Sequence, residues 1–121
     1  MGDKFPTIRL HIWLETDDGL FFGAGRAQLL ERIETHGSLK KAAECMGMSY
    51  RAAWGKLKAT EEIVGFRLVQ KNSGKKGGYS LTEDGRRLMK QYNSWFCRVE
   101  DYACELASEI FTFSPRRFEE P

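Results

Sequence analysis

The chain has 121 residues, of which 41% are hydrophobic and 30% charged, and its formal net charge is +2. This length suits one compact domain with an appended element, and the composition is that of a soluble globular protein. The sequence predicts no membrane span, because no stretch is apolar for long enough. The N-terminus also lacks the succession of basic, apolar and small residues that marks a secretory signal. We therefore expect a cytoplasmic protein.

The three cysteines, Cys45, Cys97 and Cys104, form no C-x-x-C pair. An odd number without a signal sequence favours reduced thiols over a disulfide framework. His11 and His36 do not stand at ligand-like spacing from them, so neither a metal site nor a cofactor is expected. Phosphate-loop, serine-hydrolase and zinc-enzyme patterns are missing as well. The sequence thus predicts no catalytic residues and no enzymatic activity.

Positive charge is concentrated in the middle third of the chain. Between Ser38 and Leu81 there are nine lysines and arginines but only three glutamates, which gives a local charge of +6, whereas the remainder sums to −4. Clustered charge attracts a polyanion over distances longer than one contact, so nucleic acid is the indicated partner of this region.

Residues 7–15, TIRLHIWLE, alternate between apolar and polar side chains, which is the period of a half-buried strand. The turn residues TDDG and a short returning strand, LFFG, complete a predicted hairpin. One face is expected to carry Ile8, Leu10, Ile12 and Leu14, and the other Arg9, His11, Trp13 and Glu15. For Trp13, packing at the sheet edge is favoured over an exposed contact, and His11 is expected on the solvated face.

Three helices follow, over about 25–36, from 39 to about 46, and from 50 to about 64. Serines suited to helix caps precede the second and third helices, and glycines suited to left-handed caps end all three. These positions are Gly37, Ser38, Gly47, Ser49 and Gly65. Short helices joined by a glycine turn predict a helix-turn-helix.

The third helix has two contrasting faces. Its inward stripe comprises Ala53, Leu57, Thr60 and Val64. The small Ala43 of the second helix is expected where the two helices cross. Arg51, Gly55 and Lys58 occupy the opposite side, with Tyr50 and Trp54 on the shoulder. Gly55 costs about 1 kcal/mol relative to alanine in mid-helix, and its missing side chain suits close approach to DNA.

The segments FRLVQK and YSL predict two strands joined by the basic loop NSGKKGG. A hairpin with Lys75 and Lys76 at its tip, directly after a helix-turn-helix, is typical of a wing. An ordinary solvated loop is the alternative.

Thr82 is expected to cap a long helix, with Glu83 and Asp84 favourably placed in its first turn. Its apolar stripe has heptad spacing, which favours pairing with a second copy over folding back on its own domain. The predicted interface is Leu88, Tyr92, Trp95, Val99, Tyr102 and Leu106, widened by Phe96, Ala103, Ile110 and Phe111. The tail SPRRFEEP is expected to fray. The predicted division is 1–81 for the DNA-binding domain with its hairpin and 82–121 for the dimerisation helix and tail.

The segments GSLKKAAECMGMSYRAAW, NSGKKGG and LTEDGRRL, in this order, carry a family resemblance. From about Ile8 to Tyr92 the chain resembles the N-terminal winged-helix domain of ModE-type, molybdate-responsive transcription regulators, and more distantly the helix-turn-helix of LysR-type regulators. The resemblance implies a dimeric DNA-binding regulator in which Ser49, Tyr50 and Arg51 open the recognition helix.

The prediction is therefore a mainly α fold with small β elements: a winged helix-turn-helix with an N-terminal β-hairpin and a long C-terminal dimerisation helix. We expect the protein to act as a homodimeric, sequence-specific transcription regulator on double-stranded DNA. A winged helix used only for protein–protein interaction is the alternative. The DNA-binding residues are Ser49, Tyr50, Arg51, Trp54, Lys56, Lys58, Lys75 and Lys76. Full ModE regulators carry C-terminal molybdate-binding domains, and little sequence follows the last helix here, so molybdate or tungstate is not expected to bind this chain.

Overall fold

The computed structural model describes residues 5–74 and 77–119. The elements in chain order are β1 (Thr7–Ile8), β2 (Trp13–Thr16), β3 (Gly19–Gly23), α1 (Ala24–His36), α2 (Leu39–Cys45), α3 (Tyr50–Val64), β4 (Val69–Lys71), β5 (Tyr79–Leu81), α4 (Glu83–Ile110) and β6 (Arg116–Arg117). The predicted fold class is confirmed: a mainly α, winged helix-turn-helix protein with an N-terminal hairpin and a long C-terminal helix.

Contacts group the described residues into two units, one of residues 13–93 and the other of 5–12 with 94–119. The helix α4 contributes to both. The predicted division at residue 81 stays a prediction about domain organisation. None of the helices in the described ranges is long and apolar enough to cross a membrane.

The core of unit 13–93 is built by the apolar stripes of α1, α2 and α3 together with β3, β4 and β5. Its largest fully buried apolar side chains are Phe22, Leu29, Leu30, Ile33, Leu39, Leu57, Leu68, Val69 and Leu81. From the first half of α4, Tyr92 joins this core by packing edge-on against Phe22, with ring centroids 5.6 Å apart. Burial raises the pKa of the Tyr92 hydroxyl. This core holds α3 in a fixed place.

The predicted hairpin exists, but its first strand differs from the expectation of one strand over 7–15. Only Trp13–Thr16 pairs with β3, and the register shifts between Leu14 and Glu15. An irregular register breaks the strict alternation of faces, and Leu14 is 45% exposed instead of inward. His11 is exposed, as predicted. Trp13 pairs with Gly23 and donates from Nε1 to a Glu15 carboxylate oxygen at 2.6 Å.

The other part of the predicted strand, β1, pairs in parallel with β6 in the tail. Arg117 holds the tail on α4, since its guanidinium lies 3.0 Å from the buried Glu100 carboxylate and also pairs with Asp101. Stacking adds to this, because the Arg9 guanidinium lies 3.9 Å from the Phe118 ring centroid. The prediction that the tail frays is therefore wrong for the described residues of this segment.

Candidate nucleic-acid interface

The turn between α2 and α3 is built as the sequence indicates. The side chains of Ser38 and Ser49 accept hydrogen bonds from backbone N–H groups of the first turns that they cap, at 3.1 and 3.0 Å. Ala43 and Ala53 are buried, which lets the two helices approach closely. Gly47 has a φ of 67°, the left-handed conformation that a tight turn requires. The start of α3 is therefore held rigidly.

One face of α3 is anchored in the core. Its buried residues are Ala53, Leu57 and Thr60. The Thr60 hydroxyl accepts a hydrogen bond of 2.9 Å from Nε of Arg26 on α1. Partial burial lowers the pKa of the Arg26 guanidinium. Because both apolar packing and this bond fix the inward face, the outward face is presented in one orientation.

The outward face begins with Arg51, Gly55 and Lys58, all exposed. An added Cβ at Gly55 meets no atom within 4 Å, so nothing inside the described structure requires a glycine there. Glu62, also exposed, lies one further turn along the same face. The cations of this face therefore extend from the first turn of α3 to just past its middle, and they include the N-terminal residues that contact base edges in a recognition helix.

The cations on α3 are not neutralised within the described ranges, 5–74 and 77–119. Ion pairs there involve only Arg67, Arg86, Arg87 and Arg117. Arg51, Lys56 and Lys58 have no carboxylate within salt-bridge distance, so their charge is available to an external anion. Lys56 lies roughly 140° around the helix from Arg51, at about 100° per residue, and so occupies the other flank.

The two aromatic residues of α3 have different surroundings. Tyr50 is 44% exposed. Trp54 is half-buried and packs edge-on against Tyr79 of β5, with ring centroids 5.4 Å apart. The Lys58 ammonium lies 5.3 Å from the Trp54 ring centroid, within range of a cation–π attraction. Trp54 therefore links α3 to the hairpin of β4 and β5, which we call the wing.

The wing is fixed by contacts that the sequence did not indicate. A Glu61 carboxylate oxygen accepts hydrogen bonds from the backbone N–H groups of Leu68 and Val69, at 2.7 and 3.4 Å. On the other strand, the backbone N–H of Tyr79 donates to the Gly37 carbonyl oxygen at 3.2 Å. An added Cβ at Gly78 would overlap that same oxygen, so the wing and the end of α1 pack backbone to backbone. The predicted tip residues, Lys75 and Lys76, lie outside the described residues.

The predicted interface residues of α4 fall into two groups. Tyr92 is only 6% exposed, so its side chain serves the core of its own unit and offers little surface to a partner. Leu88 is half-buried. Within unit 5–12 and 94–119, Trp95 and Tyr102 are exposed, and Val99 and Leu106 are half-buried on the same stripe.

The cysteines and histidines add one unexpected proximity. The Sγ atom of Cys45, at the end of α2, lies 3.5 Å from Nε2 of His36, at the end of α1. Both side chains are exposed. Across the described part of the chain, no group of three or more His, Cys, Asp or Glu side chains is arranged to hold a metal ion.

Comparison with known proteins places this geometry in a family. Residues 25–86, from α1 through the wing to the first turn of α4, match the family described as bacterial regulatory helix-turn-helix protein, lysR family. The chain belongs to this lysR family. The matched segment contains α2, α3 and both strands of the wing, so it covers the whole candidate interface.

The resemblance to ModE regulators is also confirmed. The molybdenum transport protein ModE of Azotobacter vinelandii is 36% identical over 83 residues, which cover 67% of this lysR-family chain and 31% of that protein. The chain thus spans about a third of the length of the curated relatives that it matches.

Solved structures of the lysR family share the fold. VV2_1132, described as a LysR family transcriptional regulator, has a TM-score of 0.60 at 17% identity, covering 81% of this chain and 32% of that one. DarR of Vibrio fischeri, solved in complex with DNA, has a TM-score of 0.54 at 17% identity, covering 69% and 27%. At such identities the likeness concerns the fold alone.

Proposed function

We propose that this lysR-family protein is a DNA-binding transcription regulator in which α3 is the recognition helix. The observation that carries the proposal is the exposed face of α3, where Arg51 and Lys58 flank Gly55 without carboxylate partners in the described ranges. Unpaired cations on a rigid helix suit a phosphate-lined groove. A relative of the same fold, DarR, was solved with DNA.

The residues of this face have separate roles in the proposed complex. Arg51, in the first turn of α3, reaches base edges in the major groove, where arginine pairs with two acceptors of guanine. Gly55 lets the helix backbone approach the duplex. Lys58, whose ammonium is held over Trp54, contacts a phosphate. Tyr50 is exposed beside them and packs against sugar or base.

The wing supplies sequence-independent affinity. Lys71 is exposed on β4, and Lys75 and Lys76 follow it in the sequence. Lysines next to glycines in the sequence suit the phosphate backbone beside the groove that α3 occupies. We assign no base contact to the wing.

The active form that we propose is a homodimer joined through α4. The supporting observation is the heptad stripe, whose members Trp95 and Tyr102 are exposed in the single chain although they are large aromatic residues. A two-fold dimer places two recognition helices one DNA turn apart, about 34–36 Å. The binding site is then expected to be palindromic.

The proposal is tested by fluorescence anisotropy with labelled duplexes and a salt series. Duplexes selected by the protein from a random pool are compared with unselected ones. We expect the selected sequences to be palindromic and bound more tightly, with affinity on both pools falling steeply as salt rises. A winged helix that only binds other proteins would neither enrich a sequence nor respond to salt in this way, and that result would refute the proposal.

A further inference from the structure

A third face of α3, between the buried face and the cationic one, is turned towards the wing. Trp54 and Glu61 lie on it about two helical turns apart, which places their side chains one above the other. Each contacts a different strand region of the wing, Trp54 at Tyr79 and Glu61 at Leu68. The recognition helix therefore holds both sides of the wing.

The contact made by Glu61 is well suited to fixing a position. Its side chain is only 9% exposed, and one carboxylate oxygen receives both backbone N–H groups of Leu68 and Val69. A carboxylate oxygen accepts stronger hydrogen bonds than a neutral oxygen does. The nearest cation, Arg67, is 3.9 Å away and two-thirds exposed, so the Glu61 charge serves the wing backbone more than an ion pair.

The contact made by Trp54 fixes the second strand. Its edge-to-face packing with Tyr79 favours one relative orientation of the two rings. The backbone N–H of Tyr79 is held at the same time by the Gly37 carbonyl oxygen. Tyr79 is thus held by α3 through its ring and by the end of α1 through its backbone.

We infer that Trp54 and Glu61 are positioning residues for DNA binding: they set the wing at a fixed distance from the recognition face, and neither needs to touch DNA. The inference rests on the proposed function, because the wing's distance matters only if α3 and the wing bind one duplex together. It changes the role predicted for Trp54 from a DNA contact to a support. It adds Glu61, an acid within the most basic part of the chain.

Glu61 allows a test in which charge and positioning predict opposite signs. Glu61→Ala and Glu62→Ala each remove one negative charge from α3, which by electrostatics alone strengthens DNA binding. If Glu61 positions the wing, Glu61→Ala instead weakens binding, and the slope of log affinity against log salt falls by about one to two units as wing lysines lose their phosphates. The preference for selected over random DNA stays unchanged, because base contacts belong to α3.

The conservative variant Glu61→Gln separates position from charge. Its amide oxygen accepts the same two hydrogen bonds, so the salt slope is expected to return to that of the unmodified protein. Two variants test the contact between Trp54 and Tyr79 in the same way. Trp54→Leu loses the edge-to-face ring contact and is expected to flatten the salt slope. Trp54→Phe keeps the ring contact and is expected to keep the slope. If Glu61→Ala does not fold, this pair is compared with Lys58→Ala, because the loss of Trp54 also removes the support of the Lys58 ammonium. A slope that falls further in Trp54→Leu than in Lys58→Ala indicates displacement of the wing, and equal slopes would overturn the inference. Unchanged slopes in both Glu61→Ala and Trp54→Leu would overturn the inference.

Amide hydrogen exchange supplies a readout that does not need DNA. Exchange at Leu68 and Val69 is expected to accelerate in Glu61→Ala and to stay unchanged in Glu62→Ala. If the unmodified protein fails to bind DNA, the proposed function fails, whereas this exchange still tests the contact. If DNA binds but exchange is equal in both variants, Glu61 does not hold the wing and the inference is wrong.

Discussion

Gly55→Ala is expected to strengthen the fold and weaken DNA binding. Gly55 is exposed in the middle of α3, and an added Cβ meets no atom within 4 Å, so the folded protein accepts the methyl group without strain. Replacing a mid-helix glycine by alanine stabilises a protein by about 0.5–1 kcal/mol. The melting temperature should therefore rise by roughly 2–8 °C.

The effect on the complex has the opposite sign. If the α3 backbone packs directly against the duplex at Gly55, the methyl group enters a filled contact. Overpacking a close contact costs about 1–3 kcal/mol, which corresponds to a Kd raised about 5- to 150-fold. The two measurements are thermal unfolding by circular dichroism and anisotropy on a selected duplex at constant salt.

Gly25→Ala provides the matched control. Gly25 is also an exposed helical glycine with open space around its Cβ position, but it lies on α1 and is not one of the proposed DNA-binding residues. This variant should leave DNA affinity unchanged. A Gly55→Ala protein that is more stable and binds DNA normally would refute the close approach of α3 at this residue. A less stable one would refute the account of its surroundings.

Three further predictions concern the base contact of Arg51, the proposed dimer, and the packing of Gly85 on α4 against the residue before β4. Arg51→Ala should cost about 1–3 kcal/mol on selected DNA and much less on random DNA, whereas Arg87→Ala, an arginine already paired on α4, should change neither; equal losses on both DNAs would assign Arg51 to phosphate. The double variant Trp95→Glu, Val99→Glu should sediment as a monomer where the unmodified protein sediments as a dimer. An unmodified protein that is monomeric at micromolar concentration would disprove the interface. Gly85→Ala should destabilise by about 1–3 kcal/mol in denaturant unfolding, because its Cβ would overlap a backbone oxygen before β4; normal stability would contradict that packing.

The parts of the fold that were predictable from sequence depend on local interactions. A serine cap bonds within its own helical turn and a glycine cap needs only a left-handed φ, so Ser38, Ser49 and Gly65 mark helix ends without knowledge of the rest. The separation of Arg51 from Leu57 on α3 follows likewise from helical period alone.

The contacts that escaped prediction join distant residues. Helical period placed Trp54 on a shoulder, but its partner Tyr79 is 25 positions away, so sequence did not distinguish a support from a DNA contact. From the sequence alone, Glu61 is indistinguishable from a solvated acid, because its hydrogen bonds to Leu68 and Val69 are visible only in the structure. Residues 7–15 show a strand period, yet period does not specify a partner, and that of β1 is β6.

The pairing of β1 with β6 has a consequence for how the chain matures. Thr7 emerges early during synthesis, but its register partner Arg116 emerges near the end of this sequence. Residues 13–93 form a unit that contains neither β1 nor β6, so this unit is expected to assemble before these two strands pair. Contacts so distant in sequence form slowly, since a long loop must close first. The unit that contains α3 is thus expected to be native before β1 and β6 pair, so the proposed recognition helix forms before the tail settles on α4.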